Sequence, residues 1–346
     1  MTIIINVRER IEEWKIRIAA GFIREGKLVA FPTETVYGLG ANALDENAVK
    51  RIFEAKGRPA DNPLIIHIAS FEQLEVLAKE IPEEAEMLAK RFWPGPLTLV
   101  LPKSEVVPRV ITGGLDTVAV RMPAHEIALK LIELSERPIA APSANISGKP
   151  SPTSAHHVAE DFYGKIECII DGGETRIGVE STVIDLTEWP PVLLRPGGLP
   201  LEEIEKVIGE IRIHPAVYGK SVDTAKAPGM KYRAAAPSAE VIVVEGPRDK
   251  VRRKIEELIA KFKEEGKKVG VIGSGSYDAD EVFYLGDTVE EIARNLFKAL
   301  RHMDRTGVDV ILAEGVEEKG LGLAVMNRLR KASGYRIIKV HHHHHH

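Results

Sequence analysis

Short apolar runs alternate along the chain with longer stretches of mixed polarity, and their periods predict its elements. Val7, Ile11, Trp14, Ile18 and Phe22 recur at helical spacing before Gly26, so residues 6–25 are predicted to form a helix. "KLVAF" then reads as a buried strand. "DENAVKRIFEAKG" predicts a helix capped by Asp45 and stopped at Gly57. "PLIIHIA", "LTLVLP", "TVAVRMP", "ECIIDGG", "STVIDLT" and "VLLRPGG" predict short strands bounded by Pro and Gly. "IPEEAEMLAKRF" and "AHEIALKLIELS" predict helices. Residues 1–211 therefore read as one α/β domain built on a large mixed sheet, with about seven strands.

Residues 212–238 break the pattern. They carry Pro215, Gly219, Pro228, Gly229 and Pro237 without clear periodicity. Arg212, Lys220, Lys226, Lys231 and Arg233 against Asp223 give five minus one, a local charge of +4. A loop of this length in a compact protein predicts a lid or a linker. Strand–helix alternation resumes over 239–340 and predicts a smaller Rossmann-like domain. Its "GSGSY" at 273–277 ends a strand but lacks the G-x-G-x-x-G spacing of a dinucleotide site.

Composition narrows the class. Hydrophobic residues are 44% and charged residues 28%, as in ordinary globular proteins. The net charge of -4 does not advertise a nucleic-acid partner, so stable RNA binding is not expected and any anion site must be local. The single cysteine, Cys168, excludes an internal disulfide and a multi-cysteine metal site, and its place in "CII" predicts an inert buried thiol. No signal peptide and no run of about 18 apolar residues is visible, so a cytoplasmic protein is expected. His341–His346 is an expression tag.

Candidate chemistry gathers at the loops of the first domain. "FPTETVYGLGANA" (31–43) sets Thr33, Thr35 and Tyr37 beside Gly38 and Gly40, where backbone N–H groups could approach a ligand. "KGRPADNP" (56–63) places Lys56, Arg58 and Asn62 at a helix end, suited either to the helix dipole or to a polyphosphate. "APSANISGKPSPTS" (141–154) brings Ser143, Asn145, Ser151 and Thr153 to a helix start, where one of them could serve as the cap. Arg121 and Arg195 end otherwise apolar strands, where a charge calls for an anionic partner. His67 interrupts another, and a lone histidine there reads more simply as a core residue. Four basic side chains ringed by Ser, Thr and Asn, without a nucleophile–base pair, fit chemistry by positioning and charge neutralisation on a phosphate substrate.

The pieces "PTETVYGLGANA", "KGRPADNPL", "WPGPLTLVL", "VAVRMP", "APSANISGKPSPT" and "RPGG", in this order, resemble the YrdC-type domain. The whole layout resembles the archaeal two-domain threonylcarbamoyl-AMP synthase family. The resemblance implies synthesis of threonylcarbamoyl-AMP from L-threonine, bicarbonate and ATP, with magnesium and release of pyrophosphate. The product would feed threonylcarbamoyl-adenosine modification of tRNA through a downstream transferase complex. It implies Lys56 and Arg58 at the phosphates as the catalytic pair. Asn62, Thr117, Ser143, Asn145, Ser151, Arg195 and Tyr232 would complete the ATP site. Thr35, His67, Arg121, Ala141 and Ser181 would hold threonine. Magnesium would ride on the substrate phosphates, with its protein ligands unknown. The family's linker motif K-Y-R-H-Y-A-P reads "KYRAAAP" here: Lys231, Tyr232 and Arg233 stand, while Ala234 and Ala235 replace His and Tyr. An impaired linker lid is the expectation. A carbamoyl-phosphate enzyme of the hydrogenase-maturation type would need further cysteines, and an RNA-binding or purely regulatory nucleotide-binding module would show no threonine dependence.

Overall fold

The computed structural model describes residues 1–220, 222–230 and 237–341. The linker candidates Lys231, Tyr232, Arg233, Ala234 and Ala235 lie outside them. The chain divides into two compact units. One comprises Met1–Ser147 and Ser151–Tyr232, the other Gly148–Pro150 and Arg233–His346.

In the first unit the elements run β1 (Ile3–Asn6), α1 (Glu13–Arg24), β2 (Val29–Pro32), β3 (Tyr37–Asn42), α2 (Glu46–Lys56), β4 (Ile65–His67), α3 (Phe71–Leu77), α4 (Glu83–Phe92), β5 (Leu97–Pro102) and β6 (Thr117–Arg121). They continue with α5 (Glu126–Ser135), β7 (Ile139–Ala140), α6 (Ala155–Phe162), β8 (Cys168–Asp171), β9 (Thr182–Asp185), β10 (Val192–Arg195), α7 (Leu201–Ile208) and β11 (Arg212–Ile213). Among the described residues the strands form one mixed sheet of eleven, ordered β1-β8-β2-β3-β7-β4-β6-β5-β9-β10-β11. The expectation of about seven strands missed β1, β3 and β11. β3 is poor in the β-branched side chains that mark a strand and β11 is only two residues long, whereas β1, "IIIN", was passed over for the helical period that follows it.

Local chemistry sets the helix ends. The Asp45 carboxylate accepts from Ala48 N–H (3.2 Å) at the start of α2, and Gly57 takes the left-handed conformation at its end. Helix α4 carries Glu83, Glu84 and Glu86 in its first turn and Lys90 and Arg91 in its last, matching its dipole. The predicted first helix is wrong in phase. Residues 3–6 pair with β8, and the helix starts only at Glu13. Its buried face is Ile16, Ala19, Ala20 and Ile23, while Trp14 and Ile18 are exposed. The two alanines let α1 pack closely on α5 around a core with Phe31, Ile127, Leu131 and Ile170.

Residues 212–230, predicted as irregular linker, belong to the first unit. β11 pairs with β10, and a 3-10 turn spans Pro215–Tyr218. Beyond it Ala225, Ala227 and Met230 are buried against Ile65, Val100, Ala119, Val183, Val192 and Leu194. The segment is a strap fastened across one sheet face. The Lys226 ammonium donates to Asp185 Oδ2 at 2.8 Å, and Asp185 is fully buried. Periodicity could not reveal it, because beyond the two-residue β11 and the 3-10 turn the described residues of the strap follow bends and turns with no fixed repeat.

The second unit carries β12 (Glu240–Glu245), α8 (Arg248–Glu264), β13 (Val269–Gly273), β14 (Glu281–Tyr284), α9 (Val289–Thr306), β15 (Val310–Glu314), α10 (Gly322–Ala332) and β16 (Ile337–Lys339). Its five-stranded sheet, ordered β14-β13-β15-β12-β16, is parallel throughout, as the strand–helix alternation predicts. In the "GSGSY" loop, Ser274 N–H and Oγ both donate to Glu314 Oε1, and Tyr277 donates to Glu314 Oε2. The protein's own carboxylate sits where an anionic ligand of that loop would have to sit.

Candidate active site

Strand alternation builds the site. On β4, Ile65 and His67 share a face; on β6, Ala119 and Arg121; on β5, Thr98 and Val100; on β9, Val183 and Asp185. The pairings His67↔Arg121, Thr98↔Arg121 and Thr98↔Val183 align these faces. Its apolar part is the surface covered by the strap. Its polar end carries His67, Arg121 and Thr98, with Ser181 just before β9 and Arg195 closing β10. Thr98 Oγ1 and Ser181 Oγ are 2.7 Å apart. Arg195 donates through Nε and Nη2 to the Ser181 carbonyl (3.0 and 2.9 Å) and through Nη2 to Ser181 Oγ (3.1 Å). Buried Arg195 is thus tied to a pair of buried hydroxyls, and buried Arg121 is the cross-strand neighbour of the second of them, Thr98.

Loops complete this end. In the 33–36 turn, Thr33 Oγ1 lies 2.9 Å from Thr35 Oγ1 and donates to the Val36 carbonyl at 2.7 Å. Thr35 Oγ1 accepts from Arg121 Nη2 at 3.1 Å, and the Thr35 carbonyl accepts from Gly178 N–H at 3.0 Å. Ala141 N–H donates to the Ile65 carbonyl at 2.9 Å, which sets Ala141 beside β4. Gly197 of "RPGG" cannot carry a side chain: an added Cβ would lie 2.3 Å from the Ser181 carbonyl carbon. Gly40 has a different reason from the one expected. Its missing Cβ makes room for the Phe31 ring and Ile139 (both 2.8 Å), so it serves packing within β3 rather than ligand approach.

The second group centres on the end of α2. Lys56 is buried, and its ammonium donates to the carbonyls of Ser143 and Asn145, the latter at 2.7 Å. Ser147 N–H donates back to the Lys56 carbonyl (2.9 Å), and Asp161 of α6 accepts from Ile146 N–H (2.9 Å). The S-x-N loop is therefore held from both sides. Arg58 donates to the Pro63 carbonyl at 2.8 Å. With its amide oxygen turned to Arg58, Asn62 accepts from Nε and Nη2 at 3.1 and 3.0 Å. Ser151 Oγ donates to Glu180 Oε2 at 2.9 Å, beside Ser181. The cap of α6 is Ser154, so neither Ser151 nor Thr153 is needed there.

Electrostatics follow burial. Burial, aided by the Arg121 charge, pushes His67 down to about 3, so its imidazole is neutral at pH 7. Its Nδ1 lies 3.2 Å from the Ile65 carbonyl, which favours the Nδ1–H tautomer and leaves Nε2 an acceptor. Burial would raise Glu34, but the Arg121 guanidinium and the Ala124 N–H hold it below the usual carboxylate range. Burial pushes Cys168 up to about 12, consistent with an inert thiol.

The structure thus brings together Thr35, His67, Arg121 and Ser181; joins Arg195 to Ser181; groups Lys56 with Ser143 and Asn145; and pairs Arg58 with Asn62. Thr117 opens β6, four residues before Arg121 at the strand's other end. Tyr232 lies outside the described residues. Sequence reasoning overlooked Glu34, Thr98, Asp161 and Glu180. Glu34 had a signal: it is a carboxylate within the buried stretch "FPTETVYGLG", and a buried charge needs a partner. Thr98 had only its place opposite Arg121, which needs the strand register. Among the described residues no group of three or more His, Cys, Asp or Glu could hold a metal ion, and no helix is long and apolar enough to cross a membrane.

Two family models cover the chain. The Sua5/YciO/YrdC model, described as telomere recombination, matches residues 21–197. The model described as threonylcarbamoyl-AMP synthase, C-terminal domain, matches residues 199–334. A threonylcarbamoyl-AMP synthase of Pyrococcus abyssi is 99% identical over 340 residues, 98% of this chain and 100% of that protein. A crystal structure of P. abyssi Sua5 complexed with L-threonine is 99% identical with a TM-score of 0.98, covering 98% of this chain and all of that one. A structure of P. abyssi Sua5 with alanine replacing histidine and tyrosine at positions 234 and 235 is 95% identical with a TM-score of 0.93, covering 99% of this chain and all of that one. Sheet, site and matches together define an enzyme of the nucleotidyltransferase class built on a YrdC-type domain. More particularly, the chain belongs to the threonylcarbamoyl-AMP synthase family, and its Ala234 and Ala235 are those of the linker variant.

Proposed function

We propose that the site takes L-threonine at its Arg121 end and ATP at its Arg195 and Lys56 end, and joins them through bicarbonate. The observation carrying this reading is the row Arg195–Ser181–Thr98 with Arg121 beside it: two buried cations on one sheet face, spaced by hydroxyls. A carboxylate at one end and a phosphate at the other would each meet a guanidinium fork. The threonine complex of the P. abyssi protein supports threonine as a substrate.

In this reading Arg121 and Thr35 orient the substrate carboxylate, and neutral His67 offers an acceptor to the threonine hydroxyl or amine. The free amine takes the carboxyl group of bicarbonate with loss of water to give a carbamate, whose oxygen attacks the α-phosphorus in line with departing pyrophosphate. Positioning and charge neutralisation suffice, and no covalent enzyme intermediate is required. Lys56 fixes the S-x-N loop through its carbonyls, and Arg58 with Asn62 lies next to it. The site offers oxygen and nitrogen donors of Ser, Asn, Lys and Arg rather than a carboxylate cage, which fits magnesium entering on the polyphosphate. Bound there, the ion would neutralise phosphate charge. The product would pass to a tRNA-modifying transferase complex.

The test is pyrophosphate release from ATP. Release that requires threonine, bicarbonate and magnesium together is the expected result. Release independent of threonine, or none in the Ala234→His, Ala235→Tyr double variant, would overturn the reading. The linker is read as a lid weakened by its two alanines. Restoring histidine and tyrosine is therefore expected to raise turnover with little change in threonine affinity, and equal turnover in both forms would remove the lid from the account.

A further inference from the structure

Glu34 is buried between the two threonines of the 33–36 turn, with a side chain 1% exposed. Its Oε1 accepts from Arg121 Nη1 at 2.7 Å, and its Oε2 accepts from Ala124 N–H at 2.7 Å. Its backbone carbonyl accepts from Ile177 N–H at 2.8 Å. One residue thus ties together the 33–36 turn, the chain just past β6 and the loop leading to Ser181. All three carry candidates for the amino-acid end of the site.

The effect on Arg121 is specific. A guanidinium has five N–H donors in a fixed plane. Nη1 faces Glu34 and, more distantly, the Gly95 carbonyl (3.4 Å); one Nη2 donor faces Thr35. Nε–H and the other Nη2 donor have no acceptor among the described residues. Two donors of one fork, held in a plane by bonds on its other side, make a bidentate receptor for a carboxylate. Without Glu34 the buried guanidinium would lose its counter-charge and the bond that fixes its rotation.

We propose that Glu34 is a positioning residue for the amino-acid substrate: it clamps Arg121 so that the remaining edge of the guanidinium meets the substrate carboxylate. The inference rests on Arg121 being the carboxylate ligand. Glu34 touches Arg121, not the reacting atoms, so its loss acts through the amino-acid subsite. The nucleotide groups Lys56, Arg58, Asn62 and Asn145 have no bond to it.

The test compares Glu34→Gln, Glu34→Asp and Arg121→Lys in the full chain, each checked for folding by its melting temperature. Glu34→Gln is expected to raise KM for threonine about tenfold or more while KM for ATP stays within about twofold. Glu34→Asp keeps the charge but reaches only one of the two partners, and falls between. A purely structural role would shift both KM values and the melting temperature together. Should Glu34→Gln not fold, threonine titration of Glu34→Asp decides. An unchanged threonine constant in a folded variant, or equal shifts for both substrates, overturns the inference. If Arg121→Lys leaves the threonine constant untouched, the assignment of Arg121 itself fails. If Arg121→Lys raises it and the Glu34 variants do not, only the positioning role fails. Non-additivity in Glu34→Gln combined with Arg121→Lys would confirm that both act through one contact.

Discussion

At the scale of single residues, burial decides which charges survive and what they face. His67 lies below its ordinary value in the fold, so the unfolded chain takes up its proton first as pH falls below about 6.5. Stability from this residue is therefore full above that pH and lost on the way down to about 3, at no more than about 1.4 kcal/mol per pH unit. Urea melts between pH 7 and pH 5 should show a shallower decline for His67→Asn than for the parent chain. Glu34 acts in the same direction but in a lower window, where acid protonates the carboxylate that Arg121 holds ionised. Lys56 gives a second prediction. Its ammonium organises the S-x-N loop, so Lys56→Met, which keeps the stem and removes the donors, should cut pyrophosphate release about a hundredfold or more. Steady-state kinetics checks it, and a loss under threefold would show that the loop needs no such fastening.

At the scale of elements, the strap holds the feature hardest to read in advance. Removing Lys226 would leave the buried Asp185 carboxylate with only the Thr187 N–H and hydroxyl, at 2.9 and 2.6 Å. Because Lys226 is itself partly exposed, Lys226→Ala should cost about 1–3 kcal/mol rather than the full penalty of a broken buried pair. Met230→Ala, which empties part of the same core, should cost about 2–4 kcal/mol. Denaturant midpoints measure both. The sequence announced helices with caps, such as α2 between Asp45 and Gly57, and strands rich in Val, Ile and Leu. It did not announce β3, whose "YGLGAN" owes its place to pairing with β2 and β7. Arg121 and Arg195 were legible as charges at strand ends. That Thr98 would stand beside one and reach the other through Ser181 was not, because register is fixed by long-range pairing rather than by local pattern.

At the scale of the whole molecule, each unit has its own sheet and core. The second buries Ile242, Val244, Ile255, Val271 and Leu312 within one cluster. A fragment of residues 239–340 is therefore expected to unfold cooperatively in urea by circular dichroism and to release no pyrophosphate. The hydroxyl pair between the two arginines has a further effect. Thr98 Oγ1 and Ser181 Oγ share one hydrogen bond, and Ser181 Oγ also accepts from Arg195. If Arg195 meets a phosphate as proposed, a ligand drawing on it would reset the proton positions of both hydroxyls on the face that Arg121 shares. Binding at one end is then expected to change affinity at the other, and by linkage the two factors would be equal. Calorimetry of each substrate with and without a non-reacting partner would measure that factor twice, and Thr98→Val should drive both values toward one. On that expectation, the two substrates would report each other's arrival before any bond between them forms.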